Sequence, residues 1–366
     1  MTFKTTMSGA LAATASFGLI LSACSPKPVE KAPPATDVSA EAVQPKAGEP
    51  AVDMQKVLDE LKALGGKPIE TLKPEEARMQ PTPTDAVKAA MMKAGMPTTP
   101  DPAVTAKDVT YPTGGGTQKA RVYMPADAKG PLPVVLYIHG GGWVIADLDV
   151  YDSSPRALAK GANAVVVSIE YRHAPEAKFP AAHDDANAAY KWILANAAKW
   201  GGDPDKVAVV GESAGGNMAI NVAITARDNK MHSPATVIAV YPVADSNMAT
   251  ASKVKYAAAK PLDTPMLAWF FTNLLKSPTE ALDKRLNLVG ADLKGLPPTT
   301  IILAEIDPLH DDGANLADKL KAAGVTTEIK EFPGVTHEFF GMGSVVANAK
   351  SAEDYAAEKL KAGFGG

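Results

Sequence analysis

The chain has 366 residues, enough for one large α/β domain with additions or for two modest domains. Its composition, 46% hydrophobic and 21% charged, is that of an ordinary soluble globular protein, and a net charge of −4 without a basic stripe argues against nucleic acid as a partner. A single cysteine excludes an internal disulfide and any metal site built from several thiolates.

The first predicted element ends at that cysteine. A short polar stretch with Lys4 precedes an apolar run from about Ala10 to Ala23. The run is shorter than the ~20 residues of a spanning helix, so it predicts a signal peptide over residues 1–23. Its end, Leu21-Ser22-Ala23-Cys24, resembles the lipobox of bacterial lipoproteins, in which the cysteine becomes the lipidated first residue. That resemblance implies an exported protein held at a membrane by an N-terminal lipid anchor on Cys24. Ser25 follows, not the aspartate of inner-membrane retention, which in a Gram-negative host implies the outer membrane, facing the periplasm. The plainer alternative is cleavage near Ala23, leaving an exposed and oxidisable thiol. Residues 25–50 are rich in Pro, Ala, Lys and Glu with almost no large apolar side chain, so a disordered tether is predicted over 24–50.

From residue 51 the pattern changes. Met54, Val57, Leu58 and Leu61 fall at helical spacing, as do Val87, Ala90, Met91 and Ala94, with prolines between; a small helical region over 51–104 is predicted. DVTYP and KARVYMP flank PTGGGTQ and predict a β-hairpin. No helix follows the triple glycine, which makes it a turn and not a phosphate loop. Within residues 105–366, six apolar runs then alternate with helical patterns: 133–139, 164–171, 206–211, 236–242, 299–305 and 326–332. Helices are expected at 154–160, 181–198, 214–228, 314–323 and 344–361. Near-continuous Val and Ile runs separated by helices predict an α/β fold with a mostly parallel sheet covered on both faces. The stretch from about 245 to 290 is too long for one crossover, and its PLDTPMLAWFFTNLL predicts a helix inserted above the sheet edge.

Chemistry concentrates where KVAVVG meets ESAGGNMAINVAITA. Strand, turn and helix with Gly-x-Ser-x-Gly at the turn is the context of a nucleophile elbow, with Ser213 as nucleophile at a helix N-terminus. Of the six histidines, His337, between the last strand and the last helix, suits the base. His310 sits too close to the expected acid in sequence, His183 and His232 suit surface or helix-end positions, and His173 suits a loop near the site. The acid is expected just past a late strand, at Asp307; Glu305, Asp311 and Asp312 are rivals, the last two also suited to capping the next helix. The glycines after PVVLYIH supply amides for an oxyanion: Gly141 and Gly142, with Ala214. Trp143, Trp269 and Phe270 are candidate walls of a substrate pocket, although helix packing accounts for the last two equally well.

These residues together resemble the hormone-sensitive-lipase-like branch of the α/β-hydrolases. The resemblance rests on His139-Gly140-Gly141-Gly142, Tyr171-Arg172-His173-Ala174-Pro175-Glu176, Phe179-Pro180, Gly211-Glu212-Ser213-Ala214-Gly215-Gly216, Asp307-Pro308 and His337-Glu338-Phe339, from about residue 105 to the C-terminus. It implies an α/β-hydrolase fold with a small helical cap, and a serine carboxylesterase that cleaves short to medium acyl esters of small molecules through an acyl-enzyme, with no metal or organic cofactor. Glu212 departs from the usual aspartate and His173 from the usual leucine. An amidase or peptidase using the same three residues is one alternative, and a non-catalytic ligand binder on this fold is another.

Overall fold

The computed structural model describes Thr2 and residues 46–365, so Cys24, residues 25–45 of the expected tether and, Thr2 apart, the expected signal segment lie outside the described residues. The strands are β1 (Val104–Thr113), β2 (Gly116–Pro125), β3 (Leu132–Ile138), β4 (Val165–Ile169), β5 (Gly202–Glu212), β6 (Val237–Val240), β7 (Thr299–Ile306) and β8 (Thr327–Thr336). They form one sheet in the order β1-β2-β4-β3-β5-β6-β7-β8. β1 and β2 form the expected hairpin, β2 joins β4 antiparallel, and every later pairing is parallel.

The helices are α1 (Val52–Ala63), α2 (Pro74–Ala77), α3 (Pro83–Lys93), α4 (Ser153–Ala162), α5 (Ala181–Asn196), α6 (Ala214–Asp228), α7 (Ala251–Lys255), α8 (Thr264–Leu274), α9 (His310–Ala322) and α10 (Ala347–Gly363). Successive side chains of a strand point to opposite faces, and β3 shows what that does here. Val134, Leu136 and Ile138 enter a core shared with α5 and α6, while Val135 and Tyr137 enter one shared with α4 and α10. Both faces are dry, which is why the strands carry apolar runs without polar alternation. This is the α/β-hydrolase architecture the sequence implies.

Local signals account for the inserted helix. Asp263 accepts a hydrogen bond from Met266 N at 2.8 Å and Pro265 fits the first turn, so α8 starts where it does. Two carboxylates then tie the insertion to the sheet. Asp311 accepts from Ser252 N at 2.8 Å; Asp312 accepts from Ala244 N and Asp245 N, and lies 2.6 Å from the buried Lys253 ammonium. The expected capping of α9 by these residues is not what they do. They are spent on long-range contacts, and the first turn of α9 is met instead by Ser252 Oγ, which accepts from Asp311 N at 3.1 Å.

The N-terminal boundary also differs from expectation. Lys46–Glu49 is a turn, Gly48 N donates to Glu305 Oε1 at 2.7 Å, and Ala51 N donates to Gly334 O at 2.8 Å. A tether reaching Pro50 therefore overruns the ordered chain by at least these residues: their polar backbone finds partners on the sheet, which composition does not reveal.

Candidate active site

β5 delivers the chain to Ser213, and α6 leaves from Ala214. Ser213 has φ 56° and ψ −117°, a region that L-residues rarely occupy, and it is held there by Ser213 N donating to Val240 O and Val243 N donating to Ser213 O. The flanking glycines are a steric requirement. A Cβ on Gly211 would lie 2.1 Å from Gly215 O, and one on Gly215 would lie 2.0 Å from Ile138 O. The sparing use of side chains around the serine is the condition for the turn to close.

Three side chains converge at this turn. Ser213 Oγ donates to His337 Nε2 at 3.0 Å, and His337 Nδ1 donates to Asp307 Oδ2 at 2.7 Å. Asp307 directly follows β7 and His337 directly follows β8, so neighbouring parallel strands bring the two loops together. Asp307 is fully buried, and its second oxygen accepts from Leu309 N at 2.8 Å, which fixes the carboxylate plane. Burial lowers the His337 pKa, but Asp307, with help from Glu338 and Glu212, outweighs burial and the net shift is upward. Of the rival acids, Glu305 accepts from Gly48 N and Gly334 N, and Asp311 and Asp312 hold the insertion. None of these three is paired with His337.

The glycine loop after β3 is tightly wound. Gly141 and Gly142 have φ values of 95° and 58°, and Gly141 O accepts from both Val144 N and Ile145 N. Tyr171 and the His139 ring both donate to Gly140 O, from 2.8 and 2.9 Å. Among the described residues the N–H groups of Gly141, Gly142 and Ala214 have no protein acceptor, leaving all three available to a developing oxyanion. Arg78 fastens the N-terminal segment over this loop: it donates to Val144 O and Ala174 O and forms a two-pronged pair with Glu176. Nothing local in the sequence marks Arg78 for that task.

A cavity of about 1170 Å³ opens on Ser213 and His337, with Trp143, Phe270 and Phe271 among its walls. Phe270 lies against the glycine loop, so close that a Cβ on Gly142 would meet its ring at 2.3 Å. Trp269 is not part of this wall. Its indole N–H donates 3.0 Å to Leu72 O, which anchors the N-terminal segment to α8; neighbouring helix positions point about 100° apart, so Trp269 and Phe270 serve different surfaces. Trp143 is buried and stacks on His183 with centroids 5.9 Å apart.

The other histidines fall elsewhere. His183 is not a surface residue: it is buried in the first turn of α5, Asn217 Nδ2 and Oδ1 link it to Val243 O, and burial pushes its pKa down to about 4. His310 pairs with Glu331 at 2.6 Å and His232 lies exposed against Asp205 O. His173 lines the cavity beside Glu170. Glu212, which departs from the family pattern, is fully buried and accepts from the hydroxyls of Tyr137 and Tyr241; burial pushes its pKa up to about 8. Tyr241 in turn packs its ring 4.5 Å from that of His337. The substituted acid thus supports the ring that supports the base.

Comparison with known proteins agrees with this geometry. A family model described as alpha/beta hydrolase fold matches residues 135–341. The chain is similar to carboxylesterase NlhH of Mycobacterium tuberculosis, 42% identical over 247 residues that cover 66% of this chain and 77% of the relative. It is 35% identical over 287 residues to an ethyl acetate hydrolase of Pseudomonas putida, covering 77% and 88% of the two chains. A solved hyperthermophilic esterase from the archaeon Pyrobaculum calidifontis superposes with a TM-score of 0.76 at 35% identity, over 84% of this chain and 96% of that one. With an elbow serine in place and relatives of this similarity, the chain belongs to the alpha/beta hydrolase fold family and is a serine ester hydrolase of the carboxylesterase type.

Proposed function

We propose that Ser213, His337 and Asp307 carry out the hydrolysis through an acyl-enzyme, on esters of small molecules with short to medium acyl chains. The observation that carries this reading is the relay of two hydrogen bonds, 3.0 Å from Ser213 to His337 and 2.7 Å from His337 to Asp307, beside three free backbone N–H groups. Ser213 Oγ attacks the ester carbonyl carbon while its proton passes to His337 Nε2. The oxygen that gains charge faces the amides of Gly141, Gly142 and Ala214. His337 then protonates the leaving alcohol, and water repeats the sequence in reverse to release the acid. Asp307 holds Nδ1–H toward itself, so the lone pair of Nε2 faces the serine. The aromatic walls, Trp143, Phe270 and Phe271, favour a compact acyl group, and the relative's name, ethyl acetate hydrolase, points the same way. A series of p-nitrophenyl esters tests this: kcat/KM should peak between acetate and octanoate. A maximum at palmitate would sink the assignment of chain length.

His337 must be neutral to accept a proton, and its pKa stands above the ordinary histidine value because Asp307 and its neighbours outweigh the effect of burial. The kcat/KM for any of these esters should therefore fall as pH drops through the His337 pKa, which stands above the ordinary histidine value, and level off above it. The profile should move to lower pH when Glu338→Gln removes one of the charges that raise it. An unmoved profile would show that Glu338, 3.7 Å from Nε2, has no influence on the base.

We further propose that the enzyme is exported and anchored through lipid on Cys24. Support comes from Leu21-Ser22-Ala23-Cys24 and the tether-like composition after it. Two or more acyl chains hold a protein stably where one does not. Cys24→Ser should leave ester hydrolysis intact and release the protein from the membrane fraction. A soluble, unmodified mature N-terminus in the unaltered protein would overturn the anchor.

A further inference from the structure

The loop that supplies the oxyanion amides is flanked by a cluster that hydrolysis does not require. His139 Nε2 lies 3.3 Å from Glu170 Oε1, His173 Nε2 lies 3.2 Å from the same oxygen, and the three atoms all fall within 4.8 Å of one another. Tetrahedral zinc with bonds of about 2.0–2.1 Å separates its ligand atoms by about 3.3–3.4 Å. Two of the three edges, at 3.3 and 3.2 Å, are close to that length, and the third falls within 4.8 Å. We propose that His139, Glu170 and His173 form a binding site for a zinc-class divalent cation on the wall of the substrate cavity.

Three features of the surroundings fit a cation held between these side chains. The first is the state of His139. Its Nδ1 lies 2.9 Å from Gly140 O, and a carbonyl can only accept, so Nδ1 carries hydrogen, while Nε2 lies at hydrogen-bond distance, 3.3 Å, from Glu170 Oε1, which also can only accept. That contact needs a positive charge between nitrogen and oxygen, which a second ring proton or a bound cation supplies. The same Nδ1–H to carbonyl contact is the outer-shell partner that metal-bound histidines usually have. The second feature is His173, whose Nε2 is buried and makes no hydrogen bond, its approach to Glu170 lying off the axis a hydrogen bond needs. The third is Glu170 itself. Arg172, the neighbouring cation in sequence, turns away to pair with Asp185 at 2.7 Å, and among the described residues only the two imidazoles are paired with the Glu170 carboxylate.

The rings are also held in place before any ion arrives. His139 stacks on Tyr171 with centroids 4.4 Å apart, and His173 meets the edge of the same tyrosine at 5.2 Å. Two nitrogens and one oxygen leave a fourth tetrahedral position open, the pattern of exchangeable zinc sites rather than structural ones. Glu170 and His173 both line the cavity that holds Ser213, so the cluster borders that space.

The test uses the full chain with Cys24→Ser, so that no thiol competes. Titration with Zn²⁺ by calorimetry should show one site per chain, and Co²⁺ should give the intense visible absorption of four-coordinate rather than six-coordinate cobalt. His173→Leu and Glu170→Gln should each weaken Zn²⁺ binding at least about tenfold, while His310→Gln and His232→Gln leave it unchanged. Should the ligand variants fold poorly, the cobalt spectrum of the parent decides alone. Retention of the site in folded His173→Leu, a six-coordinate cobalt spectrum, or the absence of any site would each overturn the proposal; the last would leave His139 as an imidazolium paired with Glu170.

Discussion

Ser213→Ala should lose ester hydrolysis by ~10³–10⁶ in kcat while keeping the fold. The size follows from what the hydroxyl does. It is the atom placed to form the acyl bond, and a water in its stead is neither oriented by the elbow nor held 3.0 Å from His337. A loss of 10⁴ corresponds to about 5.5 kcal/mol of transition-state stabilisation, and the residual rate is what the oxyanion amides and binding supply without a nucleophile. The fold should survive because alanine keeps the Cβ. The positive φ of Ser213, 56°, is a cost that serine and alanine share, so the substitution leaves the backbone strain as it is. What disappears is one hydrogen bond at the edge of a cavity, worth about 1 kcal/mol net, with water free to replace it on Nε2. Burst kinetics with p-nitrophenyl acetate and a thermal melt measure both halves. Activity within tenfold of the parent, in protein shown free of contaminating esterase, would remove Ser213 from the mechanism.

The residues of this site differ in how visible they are before the fold is known. Ser213 is legible because everything that constrains it is within a few positions: the apolar strand, the glycines at 211 and 215, the helix that follows. Asp307 and His337 are legible one step less directly, each from its place after a strand, since parallel neighbours bring successive loop ends to one edge of the sheet. Sequence position favours Asp307, the residue directly past the strand, but leaves Asp311 and Asp312 as rivals near the same strand end. What separates them is distant: Ser252, Lys253 and Ala244 occupy the rivals.

The same physics explains what stayed hidden. Trp269 and Phe270 are adjacent in the chain, yet only the far partner Leu72 decides that one indole anchors the N-terminal segment while the next ring walls the cavity. His183 has the look of a surface residue because its partner, Asn217, lies a helix away. Arg78 gives no local signal for its three partners, Val144 O, Ala174 O and Glu176. The pairing of Glu212 with two tyrosines is a product of strand register: Tyr137 and Glu212 come from adjacent strands β3 and β5, and Tyr241 from just past β6. Periodicity reports which face a residue takes. It does not report who waits there.

Asp307→Asn should lower kcat/KM by about 10⁴, although charge removal alone accounts for only part of it. The rest follows from how the new amide must sit. Asp307 uses one oxygen to accept from Leu309 N at 2.8 Å and the other to accept from His337 Nδ1 at 2.7 Å. Asparagine has a single oxygen for these two donors. If that oxygen stays with the backbone N–H, which cannot move without breaking the start of α9, the NH₂ group faces Nδ1. A donor there forces Nδ1 to accept, so the imidazole proton moves to Nε2 and the lone pair that should take the serine proton is gone. If the amide flips to keep its oxygen on His337, the Leu309 N–H is left opposite a donor in a fully buried place, at a cost of about 1–3 kcal/mol. The first arrangement is favoured and inactive. Asp311→Asn and Glu305→Gln make the same change of charge nearby without touching Nδ1, so each should stay within tenfold of the parent at neutral pH. The comparison is kcat/KM for all three variants at matched thermal stability, with ¹⁵N shifts of the histidine ring reporting the tautomer directly. A larger loss in Asp311→Asn, or an Asp307→Asn protein that keeps its proton on Nδ1 and its activity, would assign the acid to the wrong residue.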